Sequence, residues 1–406
     1  MTSRKDNKGR KLKDGESYRN DGRYQYRYTE NGKRHTIYGN TLEVLRNKEE
    51  EVKEKQKYGA KTNVSKVTVN DIFGVYIASK TELKQSTRGN YIYMYNKYIR
   101  DGFGQKKIGS VKYSDVKRFY QSLINERGFK PNSMEVVNNL LHPIFTLAVR
   151  DGYIIKNPSD GAMAEIKRSN DWEKPKRHAL SVEEQTLFVD FLSKDKQYNH
   201  WLPLFTVFLG TGCRVGEIVG LRWEDCDFDN NTISINHNLV YRQQESGKCE
   251  FHVTTPKTKS GTRIVPMLSE VRRALLTEKK KQMAEGFNKT VIDGYSGFVF
   301  TNREGYIHNP QTINRAIKRI ILACNNEEEQ KAKKEKREPI IIRNFSIHNL
   351  RHTFCTRFCE NETNLKVIQE IMGHSDISTT MNIYAEATKD KKIESFKQLE
   401  GKIKIS

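Results

Sequence analysis

Residues 156–178, KNPSDGAMAEIKRSNDWEKPKRH, offer little that a core would bury. The stretch is polar and punctuated by Pro158 and Pro175, and such punctuation marks connecting chain. A shorter polar run, YGAKTNVSK, occupies positions 58–66. Two interruptions of this kind argue against one continuous core, and 406 residues suffice for two or three separate ones. The chain therefore reads as multidomain, with folded segments over 1–60, 67–165 and 175–390 and a tail over 391–406.

Charge narrows the class of partner. Lys and Arg number 71 against 50 Asp and Glu, a net charge of +21, so a polyanion is the first partner to consider, nucleic acid before membrane. No apolar run approaches the ~20 residues a spanning helix needs. The N-terminus MTSRKDNKGRKLKDGES lacks the apolar middle of a secretion signal. The six cysteines form no Cys-x-x-Cys pair, which suits a reduced, intracellular and cytoplasmic protein.

Each segment has its own periodicity. In the first, RYQYRYTENGKRHTIYG predicts a β-hairpin turning at Asn31-Gly32. Alternation puts Tyr24, Tyr26 and Tyr28 on one face and Arg23, Gln25 and Arg27 on the other. Asn40 is placed to cap a helix running to about residue 57, with Glu43 reaching back as in a capping box. The result is a small α+β domain whose free, basic face offers Arg23, Gln25, Arg27, Lys33 and Arg34 as DNA contacts; a solvated edge hairpin is the alternative.

The second segment reads as all-α, four or five helices started by Ser, Thr, Asn or Asp caps. Its interleaved Tyr91, Tyr93, Tyr95, Lys97 and Tyr98 are mostly core aromatics beside a basic rim that could hold phosphate. The third reads as mixed α+β: helices in SVEEQTLFVDFLSK, HWLPLFTVFLGTG and VGEIVGLRW, strands in TISINHN, CEFHVTT and TRIVPM, then helices to the end. NNEEEQKAKKEKREP (325–339) looks too charged to bury and reads as a solvated insertion or frayed helix.

The third segment also carries groups suited to one reaction. In EIMGHSDISTTMNIYAE, Gly373 ends one helix and Ser378 can cap the next, so a turn can fold His374 and Tyr384 together. If Tyr384 is a nucleophile, its phenol, with a pKa of about 10, needs neighbours that take its proton. Attack on a phosphodiester further needs cations on the non-bridging oxygens and an acid for the leaving oxygen. GTGCRVGEIVGL sets Arg214 behind two glycines at a helix start, with Glu217 able to orient the guanidinium. SIHNLRHTF puts His348 and Arg351 on one helical face. TPKTKSGTRIVP reads as a hairpin with Lys259 at its turn. A zinc site on His348, His352, Cys355 and Cys359 is disfavoured: the row spans about 16 Å along a helix, whereas ligands must converge within ~2.3 Å of the metal.

Taken together and in this order, GTGCRVGE, TPKTKSGTRIVP, IHNLRHTF and MGHSDISTTMNIY resemble the tyrosine recombinases of the phage-integrase family, with integrases of conjugative transposons and Gram-positive phages nearest. The resemblance implies that Arg214 and Arg351 clamp the phosphate and that Lys259 protonates the leaving oxygen. It implies that His348 assists proton transfer, that His374 hydrogen-bonds the phosphate, and that Tyr384 forms a 3′-phosphotyrosyl link. It further implies arm-binding, core-binding and catalytic domains in that order, a tail contacting a neighbouring protomer, and a homo-tetramer on two duplexes at core and arm attachment sites. An accessory excision factor is a possible partner, and no metal, ATP or other cofactor is required. A type IB topoisomerase or a non-catalytic DNA-binding regulator are the alternatives; the latter would have lost a catalytic position, and none is missing.

Overall fold

The tyrosine alternation at the N-terminus builds a sheet, though a larger one than a hairpin. In the computed structural model, β1 (Glu16–Tyr18), β2 (Tyr24–Glu30) and β3 (Lys33–Gly39) form an antiparallel sheet in the order β1-β2-β3. The structure describes residues 4–30, 32–59, 61–62, 66–83, 85–169, 178–243, 248–256, 259–302 and 304–387, in two units, Met1–Pro175 and Lys176–Ser406. Asn31 of the expected turn lies outside the described residues. Register pairs Glu30 with Lys33, and Gly32 holds φ +75°, the left-handed backbone such a two-residue connection favours.

Tyr24 and Tyr26 bury against Leu42 and Leu45 of α1 (Leu42–Lys57), as the alternation predicts. The helix cap is Thr41 rather than Asn40: the Thr41 backbone is extended, and its hydroxyl accepts from the Val44 N–H at 3.2 Å. Gln25 departs from the expected free face. The added strand β1 covers it, so Gln25 is only 7% exposed and its amide donates to the Ser17 hydroxyl at 2.8 Å. Arg23, Arg27, Lys33 and Arg34 are exposed, with Arg23 paired to Asp21 at 2.7 Å.

The rest of the first unit is helical: α2 (Val69–Ser79), α3 (Gln85–Tyr98), α4 (Tyr113–Asn125), α5 (Pro131–Arg150) and α6 (Ala162–Ser169). Phe73 stacks on Tyr95 in its core, while Tyr93 of the same aromatic run is exposed. Helix α6 lies inside 156–178, the stretch that reads as pure linker. Ala162, Met163 and Ile166 fall on one helical face and bury in the core of α2–α5, which is enough to seat a short, otherwise polar helix.

The second unit opens with α7 (Val182–Lys194), α8 (Leu202–Thr211) and α9 (Val215–Val219). Five strands follow: β4 (Cys226–Asp227), β5 (Thr232–Ile235), β6 (Asn238–Gln243), β7 (Cys249–Thr254) and β8 (Arg263–Pro266). TPKTKSGTRIVP is not a hairpin. β7 pairs with β6 and β8 pairs with β5 in the sheet β4-β5-β8, so the 3₁₀ turn Lys259–Gly261 joins two different sheets. Then come α10 (Ser269–Glu285), α11 (Pro310–Glu335), α12 (Ile347–Asn361), α13 (Leu365–Met372) and α14 (Ile377–Ala387). Phe188, Phe205 and Phe208 from α7 and α8 meet Ile313, Ile317 and Ile320 of α11 in one core.

The charged run 325–339 extends α11 instead of fraying. Glu328 and Ala332 share a buried face, and Glu328 accepts from Arg337 Nη2 at 3.1 Å and from the Ile340 N–H at 3.2 Å. Among the described residues no helix is long and apolar enough to cross a membrane. Glu328→Ala should destabilise the full chain by about 1–3 kcal/mol in denaturant unfolding, because it strands hydrogen-bonding groups on Arg337 and Ile340. Glu327→Ala, at an exposed position, should change stability by less than ~0.5 kcal/mol.

Candidate active site

The second unit gathers three arginines around the C-terminus of α13. The last carbonyls of a helix have no partner within it and carry the negative end of the dipole. Gly373 ends α13 in the left-handed conformation, φ +63°. Each of the last three carbonyls then accepts from a different guanidinium. Arg263 Nε donates to Ile371 O at 2.7 Å, Arg351 Nη2 to Met372 O at 2.7 Å, and Arg214 Nη2 to Gly373 O at 2.8 Å. The three side chains come from β8, α12 and the residue that caps α9.

Two close approaches make this assembly possible. Gly212 holds φ +61°, and a Cβ there would come within 2.3 Å of the Phe354 ring. That fit lets Arg351 Nη1 donate to Gly212 O at 2.7 Å. A Cβ on Gly373 would lie 2.9 Å from Arg263 Nη1 and 3.0 Å from Ser260 O, so the 3₁₀ turn after Lys259 packs directly on the end of α13.

Glu217 is the carboxylate at the centre. It accepts from the Arg214 N–H at 2.7 Å, Arg214 Nη1 at 2.9 Å, Arg263 Nη1 at 3.2 Å and Arg263 Nη2 at 3.0 Å. Burial pushes its pKa up, but the hydrogen bonds and charge of Arg263 and the contacts from Arg214 outweigh it and hold the group down at about 2. Arg351, 5% exposed, is pushed down to about 10 by burial and by the charges of Arg214 and Arg263. Both groups remain ionised at neutral pH. Three guanidiniums against one carboxylate leave a surplus of positive charge in a largely buried place, which an anion would neutralise.

His374 follows Gly373 directly. It is 8% exposed, and its Nδ1 lies 2.9 Å from the buried Thr380 hydroxyl. Burial, then the charges of Arg351, Arg214, Arg263 and His348, bring its pKa down to about 4, so the ring is neutral at neutral pH. His348 begins α12 one turn before Arg351 and is half-buried. Tyr384 sits two turns into α14, half-buried against Cys355, Cys359, Ile368 and Met372, which fasten α14 to α12 and α13. The cap of α14 is Asp376 rather than Ser378: Asp376 Oδ1 accepts from the Ser378 N–H at 2.9 Å, so Ser378 already lies in the first turn. Lys259 opens the 3₁₀ turn, and its side chain lies outside the described residues.

Arg214, Glu217, Arg351 and His374 thus meet in one place, with His348 near enough to bear on the His374 charge. The exposed basic residues of the first sheet belong to the other unit. Arg263 escaped the sequence reading, although a signal was present. In β8, Ile264 is 63% exposed and Val265 buried, so the period of two turns Arg263 inward with Val265.

Residues 179–391 match the phage integrase family, residues 1–58 the DNA binding domain of tn916 integrase, and residues 68–124 the phage integrase N-terminal SAM-like domain. The transposase from transposon Tn916 of Enterococcus faecalis is 31% identical over 414 residues, covering 98% of this chain and 96% of the relative. The transposase from transposon Tn1545 of Streptococcus pneumoniae shows the same identity and coverage. Among solved structures, the Tn1549 transposon integrase in complex with a circular intermediate DNA has a TM-score of 0.71 at 28% identity, over 82% of this chain and 100% of that one.

The depressed pKa of His374 sets a direction for pH dependence. The unfolded chain takes up a proton near pH 6.5 and the folded chain near 4, so this contribution to stability is complete above 6.5 and lost as pH falls towards 4. Half-buried His308, also brought down to about 4 by burial, acts in the same window. Unfolding free energies at pH 7, 6, 5 and 4 should fall less steeply for His374→Asn than for the parent. Parallel curves would contradict a neutral, buried His374.

Proposed function

The chain belongs to the phage integrase family and is a tyrosine recombinase, an integrase that integrates and excises a mobile element of the conjugative-transposon kind, and from that premise we propose how its residues carry out the reaction. The observation that carries the proposal is the surplus of guanidinium charge at the end of α13, next to a neutral histidine. A scissile phosphodiester brings the missing negative charge. Each arginine has five N–H donors. Arg214 uses one on Glu217 and one on Gly373 O, and Arg351 uses two on carbonyls, so donors remain in both forks for the non-bridging oxygens.

Tyr384 attacks the phosphorus as the bond to the 5′ oxygen breaks. Its O–P bond forms, the phenolic proton passes to a neighbouring base with His348 assisting, and Lys259 protonates the leaving 5′ oxygen. Neutral His374 donates a hydrogen bond to the phosphate, its orientation held by Thr380. The bond energy stays in the 3′-phosphotyrosine, and the 5′-hydroxyl of a partner strand attacks it in the reverse sense. Glu217 keeps Arg214 in place throughout.

The relatives' architecture extends the reading to the whole chain. Relatives of this kind are solved bound to DNA. The first sheet, through Arg23, Arg27, Lys33 and Arg34, contacts arm-type sites, and the helical segment contacts the core site. Two duplexes have four strands to exchange, so the working assembly is a homo-tetramer in which each protomer supplies one tyrosine. The tail 391–406, outside the described residues, is the segment assigned to the neighbouring protomer. The setting is a bacterial cytoplasm, with an accessory factor directing excision.

Tyr384→Phe should bind attachment-site DNA with a Kd within about threefold of the parent, a change under 1 kcal/mol. It should form no covalent adduct on a nicked suicide duplex, and an adduct with this variant would overturn the nucleophile assignment. Removing residues 1–60 should leave cleavage of a core-site duplex intact and weaken binding to arm-site DNA by about 10–100-fold, with a shallower salt dependence. Equal affinity for arm-site DNA after the deletion would refute the role given to the sheet.

A further inference from the structure

Arg263 stands apart from the other two arginines in how its donors are used. Nε donates to Ile371 O at 2.7 Å. Nη1 donates to Glu217 Oε1 and to Gly261 O, both at 3.2 Å. Nη2 donates to Glu217 Oε2 at 3.0 Å and meets Cys213 Sγ at 3.5 Å. A guanidinium side chain has five N–H groups, and all five here point at protein acceptors. Its side chain is only 6% exposed. Arg263 therefore has no donor left for a phosphate, unlike Arg214 and Arg351.

Apart from Cys213 Sγ, these acceptors belong to three parts of the site. Glu217 fixes Arg214. Ile371 O lies at the end of α13, three residues before His374. Gly261 O belongs to the Lys259–Gly261 turn, whose Ser260 carbonyl would sit 3.0 Å from a Cβ on Gly373. Arg263 thus touches the turn of Lys259, the carboxylate behind Arg214 and the helix end that presents His374. Among the described residues β7 and β8 do not pair, so no β7–β8 ladder brackets this turn, and contacts of this kind help to place it.

We propose that Arg263 is a positioning residue for strand cleavage, which sets the turn carrying Lys259 against the phosphate-binding arginines so that the leaving 5′ oxygen is protonated as its bond to phosphorus breaks. The inference rests on the reading of Lys259 as the general acid. It predicts a defect confined to leaving-group protonation. A misplacement of about 1 Å can slow a step by about 100-fold.

The test uses the full chain and two nicked suicide duplexes, one with an ordinary 5′ oxygen at the scissile phosphate and one with sulfur in that bridging position. A thiol has a pKa near 8.5, so a thiolate leaves without a proton, whereas an alkoxide leaving group needs one. Arg263→Gln should bind both duplexes within about threefold of the parent and form adduct on the oxygen duplex about 10–100-fold more slowly. On the sulfur duplex its rate should return to within about threefold of the parent's. Arg263→Lys, which keeps one charge, should show the same selective recovery from a smaller loss. It also serves as the second variant if Arg263→Gln folds poorly by near-ultraviolet circular dichroism. Arg214→Ala should be slow on both duplexes.

Equal slowing of the Arg263 variants on both duplexes, or no slowing on either, would overturn the proposal. Lys259→Ala separates the two levels: if it stays slow on the sulfur duplex, the general-acid reading of Lys259 fails, while Arg263 is still judged by its own oxygen-to-sulfur ratio.

Discussion

The end of α13 is where the second unit is organised. Helix ends need partners for their last carbonyls, and glycine, water or a lysine usually serve. Here three guanidiniums from three separate elements converge on Ile371, Met372 and Gly373. Gly373 leaves room for Arg263 and the Ser260 carbonyl, and Gly212 for Phe354 and Met372. The guanidinium contacts therefore terminate a helix, fasten α9, β8 and α12 to one another, and concentrate positive charge beside His374.

Such a cluster is expensive to bury and is tolerated because Glu217 sits within it. One carboxylate cannot balance three guanidiniums, and the imbalance has a direction: it disfavours further positive charge and favours an anion. Burial first, and then these charges, lower the pKa of His374 and of Arg351, in keeping with the first preference. The proposed phosphodiester would satisfy the second, and a ring kept neutral remains a hydrogen-bond donor through whichever nitrogen carries its proton. The proposed nucleophile is held by other contacts. Tyr384 rides on α14, held by Met372 and the cysteines of α12, and Met372 is also the residue whose carbonyl Arg351 caps. Met372 thus touches both the packing of Tyr384 and the guanidinium of Arg351.

The departures from expectation share a cause. TPKTKSGTRIVP has the turn residues of a hairpin, but Ile233 pairs with Val265, and β8 is drawn to β5 instead of its sequence neighbour. Gln25 alternates with tyrosines as a surface residue should, yet a third strand covers it. The run 325–339 is charged enough to float, but Glu328 finds Arg337 and, with Ala332, forms one buried face. In each case the deciding partner lies outside the local window.

Short-range chemistry was legible without coordinates. The glycine that ends α13, the arginine at the start of α9, and the one-face spacing of His348 and Arg351 all depend on neighbours within a few residues. They came through because propensity, capping and helical period act over that range. Together with the resemblance of four motifs they also pointed to a phosphodiester-attacking tyrosine. Arg263 shows what lay beyond that range. Its inward face could be read from strand period, but its partners Glu217 and Ile371 lie 46 and 108 positions away in sequence. Only folding brings a buried carboxylate, a helix end and a turn within hydrogen-bonding distance of one guanidinium, because such contacts are specified by the packing of whole elements and leave no periodic trace in the chain.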